Sequence, residues 1–253
     1  MIPKTIHFVW LGGGKYSPSV SRCIDSWKRV MPDYQLKRWD ENNFDVDSVV
    51  WVKEALEKKK WSLASDYIRH YAVYTEGGIY LDTDVMAYKP FDDFLHYDFF
   101  TAVELHPEIY DTAGRFQVDE QGNPLQQGTS VAGIGLLAAA YGAVEGNSFV
   151  KECMDFFGTR HFIRPDGTLF EDEINPSIMA RLLYPHGFRY VDQLQRLEEN
   201  MVVFPSSVLA GNAATRTPDS YLMHWCDGSW RDWGWKHRVR QFLLTHFPSV
   251  FRK

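Results

Sequence analysis

Gly77-Gly78-Ile79-Tyr80-Leu81-Asp82-Thr83-Asp84-Val85 is the stretch on which the fold turns. An apolar run entered through two glycines reads as a buried strand over 79–85. Side chains two apart on a strand share a face, so Asp82 and Asp84 present two carboxylates together at its carboxyl end. That edge is where open α/β sheets bind ligands. Two like charges so placed repel each other unless a cation lies between them. Mg²⁺ or Mn²⁺ suits such a pair, because these ions take one or two carboxylates and fill their other positions with phosphate oxygens and water. The plainer alternative is a pair of turn acids capping a strand end. The apolar strand and the double glycine favour the metal.

Upstream, the spacing predicts a helix N-capped by Ser62 and running to Glu76, with Gly77-Gly78 as its stop. Asp66 and Arg69 are three apart and share a helix face. They form either a simple surface ion pair or, since Ala64, Ile68, Ala72 and Val73 give the helix an apolar side, a polar pair aimed into a pocket. Further out, 5–11 reads as a first strand ending in Gly12-Gly13-Gly14, 17–31 as a helix ended by Pro32, 34–39 as a strand, 47–60 as a helix and 97–104 as a strand. This alternation argues for an α/β sheet with mostly parallel strands. Residues 105–135 are Gly-rich and polar and read as long loops. Helices are expected at 147–158 and 175–184, and a short strand at 201–204. With no internal repeat or linker, one domain is expected, divided into a ligand-binding half (1–104), a variable region (105–220) and a C-terminal segment (221–253).

The 253 residues carry 27 basic and 33 acidic side chains, a net charge of -6. That balance argues against a nucleic-acid partner. Three cysteines with no CxxC spacing argue against a disulfide framework or a Cys-rich zinc site. Strand-like sequence begins at Ile2 with no charged-then-apolar leader, and no run of about 18 apolar residues occurs. A cytoplasmic location is therefore expected. From Trp233 onward the chain has Lys236, Arg238, Arg240, Arg252 and Lys253 and no acid, which suggests a basic helix that touches the inner face of a membrane or packs on its own domain. Leu11-Gly12-Gly13-Gly14-Lys15 fails both the P-loop and the dinucleotide spacing. The 9 Trp fall into two clusters, five within residues 10–61 and four within 225–235.

Ser65-Asp66-Tyr67-Ile68-Arg69 followed by Gly77-Gly78-Ile79-Tyr80-Leu81-Asp82-Thr83-Asp84 resembles the DXD sugar-binding region of the glycosyltransferase family 32 enzymes, which include yeast-type initiating mannosyltransferases and bacterial capsular-polysaccharide transferases. The catalytic domains of the large clostridial glucosylating toxins share the pattern. The opening Ile2-Pro3-Lys4-Thr5-Ile6-His7-Phe8-Val9-Trp10-Leu11 is similar to that family's first strand, and His224-Trp225 with Ser229-Trp230 to its C-terminal element. The likeness is dense over 2–91 and thin over 105–200.

The resemblance implies a GT-A fold, Rossmann-like, with extra C-terminal helices, binding a UDP-sugar and a divalent cation, Mn²⁺ or Mg²⁺. Trp10 would stack on the nucleobase, and Tyr80 would line the nucleotide pocket. Ser65, Asp66 and Arg69 would hold the donor sugar and diphosphate. Asp82 and Asp84 would meet the metal, with His224 as the third ligand and Asp227 as its competitor. Ser229 and Trp230 would close over the diphosphate. Asp66, Arg69, Asp84 and Trp230 are the implied catalytic group. The implied reaction retains configuration, through a front-face displacement in which positioning and charge stabilisation dominate. It would pass a hexose to a saccharide or lipid-linked saccharide acceptor in surface polysaccharide synthesis. Glu104, Gln127 and Asn175 are candidate acceptor-side residues. Two alternatives stay open: a metal-dependent phosphohydrolase using Asp82 and Asp84, and a catalytically inactive carbohydrate-binding relative.

Overall fold

The computed structural model describes residues 1–225. The chain opens with β1 (Thr5–Val9), α1 (Pro18–Val30) and β2 (Gln35–Trp39), followed by α2 (Val50–Glu57), α3 (Trp61–Glu76), β3 (Gly78–Leu81) and β4 (Val85–Ala87). It continues through β5 (Phe99–Leu105), α4 (Pro107–Thr112), β6 (Ile134–Leu136), β7 (Ala140–Ala143), α5 (Ser148–Gly158) and α6 (Asn175–Leu183). The last strands are β8 (Gln195–Arg196), β9 (Met201–Phe204), β10 (Leu209–Ala210) and β11 (Leu222–His224). α1 begins as its sequence requires: Pro18 supplies the fixed φ of a first helical residue, and the Ser17 hydroxyl accepts a hydrogen bond from the Val20 N–H.

A central sheet runs in the order β2-β1-β3-β7-β5-β9-β8, with β6 paired to β5, and a small sheet runs β10-β11-β4. Period-two alternation divides the apolar residues of the large sheet between two cores. Val9, Tyr80, Phe99 and Val103 face α2, α3, α5 and α6. Ile6, Phe8, Ile79, Leu81, Phe100 and Ala102 face α1 and the small sheet.

The expected α/β architecture is present, but the central sheet is mixed rather than mostly parallel. β1 pairs parallel with β2 and β3, and β5 with β9, whereas β7 runs antiparallel to both β3 and β5. β7 reads Ala-Tyr-Gly-Ala, and its small residues carry little strand signal. They are there to be crowded: a Cβ on Gly142 would lie 2.3 Å from the Phe100 ring. Because β7 sits between them, β3 and β5 point the same way and their carboxyl ends share one edge.

Four local expectations are corrected. Ser62 lies inside α3, whose N-cap is Lys60, with no side-chain cap bond. The helix expected over 47–60 is confined to Val50–Glu57. The region 105–135 contains α4 and a 3₁₀ turn, Gly114–Phe116, where long loops were expected. Most important, 79–85 is not one strand: β3 stops at Leu81, and the chain turns through 82–84, closed by Val85 N–H donating to the Asp82 carbonyl at 3.0 Å, before β4 joins the other sheet.

The join between α3 and β3 is tight. Gly77 and Gly78 have φ of +62° and +112°. A Cβ on Gly78 would stand 2.7 Å from the Thr5 carbonyl oxygen and 2.9 Å from His7 Nε2. Gly78→Ala is expected to cost about 3 kcal/mol through this clash and the positive φ. Gly14→Ala, which meets nothing within 4 Å, should cost no more than about 0.5 kcal/mol. Urea unfolding of the two variants checks the contrast, and equal effects would refute it.

Candidate functional site

The two carboxylates of the 82–84 turn converge with an imidazole from 140 residues downstream. Asp82 is anchored by its own N–H, which donates to the Ala139 carbonyl at 2.8 Å. Antiparallel pairing of β4 with β11 sets His224 opposite Val85. Trp225 N–H donates to the Asp84 carbonyl at 3.0 Å and pins the end of β11 on the turn. His224 Nε2 lies 3.2 Å from Asp84 Oδ1. One ligand atom each from Asp82, Asp84 and His224 fall within 4.8 Å of one another, all three residues partly exposed. Two carboxylate oxygens and an imidazole nitrogen form a donor set that Mn²⁺ or Mg²⁺ accepts.

Beneath this cluster is a buried polar chain. Arg69, 5% exposed, ion-pairs with Asp66 Oδ1 at 3.1 Å and Asp82 Oδ1 at 3.3 Å. Its Nη1 also donates to the Ala138 carbonyl, and its Nη2 to the Ser65 hydroxyl, both at 3.0 Å. The guanidinium packs over the Tyr80 ring at 4.8 Å. Burial works against the Arg69 charge, but Asp82, Tyr80 and Asp66 more than offset it and hold its pKa above the usual arginine value. Tyr80 is 1% exposed; its ring belongs to the core, and it reaches the site through its hydroxyl, which donates to Asp82 Oδ1 at 2.7 Å.

On its other side Asp66 accepts a hydrogen bond from Asn175 Nδ2 at 3.1 Å. Asn175 Oδ1 lies 3.3 Å from His70 Nε2, and the Tyr141 hydroxyl 2.8 Å from His70 Nδ1. These contacts are consistent only in one sense: Tyr141 donates to Nδ1, Nε2–H donates to the Asn175 carbonyl, and the amide NH₂ then faces Asp66. Burial pushes the Asp66 carboxyl up to about 6, with Asp82 also raising it and Arg69 and Asn175 lowering it. Burial, together with Arg69, lowers His70 to about 3 and keeps the ring neutral.

The structure thus brings Ser65, Asp66, Arg69, Tyr80, Asp82, Asp84 and His224 together. Asn175 joins them as the first residue of α6, where a helix was expected, while Gln127 is exposed. Trp10 stands just after β1; its indole N–H donates to the Gly14 carbonyl at 2.7 Å and its ring meets Tyr16 edge-on. It lines a cavity of about 230 Å³ with Gly13, Gly14, Arg38, Asp40, Glu41 and Asn42. Asp227, Ser229, Trp230 and the basic segment from Trp233 onward lie outside the described residues. Sequence reasoning missed His70, Tyr141 and the Ala138 carbonyl. His70 had a signal, since it is four residues from Asp66 and therefore on the same helix face. Tyr141 and Ala138 lie in an Ala-rich stretch with no pattern to mark them.

Residues 17–100 match the model of the family described as a glycosyltransferase sugar-binding region containing a DXD motif. The matched stretch includes the Asp82-Thr83-Asp84 motif of this chain. Asp66 and Arg69 are also within that stretch. Over 103 residues the chain is 30% identical to inositol phosphoceramide mannosyltransferase 3 of Schizosaccharomyces pombe, covering 38% of this chain and 28% of that protein. Over 116 residues it is 31% identical to an uncharacterized glycosyltransferase of Acanthamoeba polyphaga mimivirus, covering 42% and 45%. The chain therefore spans less than half the length of either relative. A solved structure, the PaToxG glycosyltransferase, superposes with a TM-score of 0.50 at 16% identity over 73% of this chain and 68% of that one. The fold around the DXD region is that of GT-A glycosyltransferases. Among the described residues no helix is long and apolar enough to cross a membrane.

The buried chain makes a pH prediction. His70, depressed to about 3 from an ordinary 6.5, contributes stability that is full above 6.5 and is lost as pH falls towards 3. Asp66, raised to about 6, works oppositely, its contribution being lost as pH rises through 6. His70→Gln removes only the first effect. Between pH 7 and 5 its unfolding free energy should fall by about 2 kcal/mol less than that of the wild type. Urea melts at the two pH values measure this, and parallel losses in both proteins would contradict it.

Proposed function

We propose that the protein is a retaining, metal-dependent glycosyltransferase that moves a hexose from a UDP-sugar to a saccharide acceptor, in the building of a surface polysaccharide or oligosaccharide. The observation that carries this reading is the juxtaposition of the Asp82–Asp84–His224 cluster with the buried Asp66–Arg69 pair inside the DXD region. Asp82, Asp84 and His224 would hold the cation. When bound, it would neutralise the charge that builds on the leaving nucleoside diphosphate.

The remaining contributions come from the chain itself. The carboxylates of Asp66 and Asp82 share one guanidinium and that of Asp84 lies beside His224, so the site holds an excess of negative charge that suits a dication and disfavours a bare phosphate. Arg69 and the Tyr80 hydroxyl fix Asp82 from below. That clamp makes Asp82 a poor in-line nucleophile, which disfavours the phosphohydrolase alternative. Asp66 Oδ1 is held by Arg69 and Asn175, while Oδ2 makes no hydrogen bond among the described residues. A sugar hydroxyl would satisfy Oδ2 and be oriented by it. Trp10, beside its cavity, offers an aromatic wall for the nucleobase. The hexose, the retention of configuration and the choice of UDP rest on the family resemblance. So do a lipid-linked form of the acceptor and a membrane contact through the basic C-terminal segment.

Nucleotide release from a panel of UDP- and GDP-hexoses, with and without Mn²⁺, tests the reading. Turnover should require a UDP-sugar and the metal. Asp84→Asn should lower it at least about a hundredfold while leaving the unfolding midpoint close to that of the wild type. Full activity in that variant, or in EDTA, would overturn the mechanism.

A further inference from the structure

Glu104 ends β5 at the edge that also carries the DXD turn, and its side chain is only 10% exposed. Oε1 accepts a hydrogen bond from His106 Nε2 at 3.1 Å, whereas Oε2 makes none among the described residues. A buried carboxylate oxygen without a donor is costly, and few native structures carry one without a use for it.

Its surroundings indicate the use. By strand alternation Glu104 lies on the face of Phe100 and Ala102, towards the small sheet. There it meets Gly211, the residue after β10, where a Cβ would stand 3.0 Å from Glu104 Cγ. β10 pairs with β11 through Leu209↔Leu222 and Ala210↔Met223, so Gly211 is level with His224. Leu222 faces the core between the sheets, and His224, two residues on, shares that face. Glu104 therefore flanks the metal-ligating cluster without belonging to it. The flank is braced: Asn212 Nδ2 donates to the Leu105 carbonyl at 2.8 Å, and His106 N–H to the Gly133 carbonyl at 2.7 Å.

We propose that Glu104, held by His106 and given room by Gly211, binds a hydroxyl of the acceptor saccharide beside the metal centre. The proposal rests on the glycosyltransferase reading for the word acceptor. The chemistry of the subsite stands on the geometry: a buried, acceptor-only oxygen takes an O–H donor. The acidic surroundings repel an anion, and one carboxylate with one imidazole is too small a set for a second cation.

Saturation-transfer NMR with a panel of methyl hexopyranosides tests the subsite, with binding of UDP plus Mn²⁺ as a separate control. At least one hexoside should bind the wild-type protein. Glu104→Gln should weaken it about tenfold or more, as expected for a lost charge-assisted bond. Glu104→Leu should abolish it, with an unfolding temperature equal to or above that of the wild type, because the half-satisfied carboxylate is gone. UDP binding should change less than about twofold in both variants. Hexoside binding that depends on Glu104 in a protein that does not bind UDP supports the subsite and overturns the donor reading. The subsite itself is overturned if no hexoside binds the wild type, if the variants bind as well, or if hexoside and UDP binding are lost together.

Discussion

Arg69 keeps a full positive charge in the interior because Asp66, Asp82, Ser65 and the Ala138 carbonyl surround it. These partners come from three parts of the fold: α3 itself, which carries Ser65 and Asp66, the turn after β3, and the lead into β7. An unpaired buried guanidinium would cost several kcal/mol, so these three parts can come together only in an arrangement that surrounds it. The DXD turn is held in place by that requirement. Asp82 cannot swing away without stranding Arg69, and Tyr80 gives it a second hold from the core.

The same constraint leaves the site electrically unfinished. The buried cation accounts for one of three carboxylates, and the remaining negative charge gathers where the 82–84 turn meets His224. A site of this kind is less stable empty than it would be with apolar residues, and that is the usual mark of a site shaped for a charged ligand. Glu104 repeats the theme at the end of β5, a carboxylate buried with one oxygen unserved among the described residues. Behind Asp66, Tyr141, His70 and Asn175 form a neutral relay that fixes which way an amide points. The relay adds orientation without adding charge.

Much of the site around Asp66, Arg69 and Asp82 was legible along the chain. α3 and its Gly77-Gly78 stop follow from helix periodicity and from a positive φ that only glycine takes easily. Asp66 and Arg69 share a face because they are three apart on that helix. Two readings failed where local pattern lacks the information. Asp82 and Asp84 were assigned to one strand face, and they converge instead across a turn, since Val85 is claimed by pairing with β11. β7 escaped notice because Ala and Gly carry little strand propensity, and the need for small residues against Phe100 is a property of the neighbour.

What the sequence by itself determined are the features written in short-range spacing: the α/β alternation, the helix carrying Asp66 and Arg69, and the acidic pair behind an apolar strand. Only the tertiary structure decided the antiparallel insertion of β7, the arrival of His224 beside Asp84, the Asn175–His70 relay behind Asp66, and the seating of Glu104 against Gly211. The physical reason is the range of the forces involved. Helix periodicity and turn geometry act over a few residues, whereas strand pairing and the pairing of buried charges join residues up to 140 positions apart and are settled only when the whole core closes.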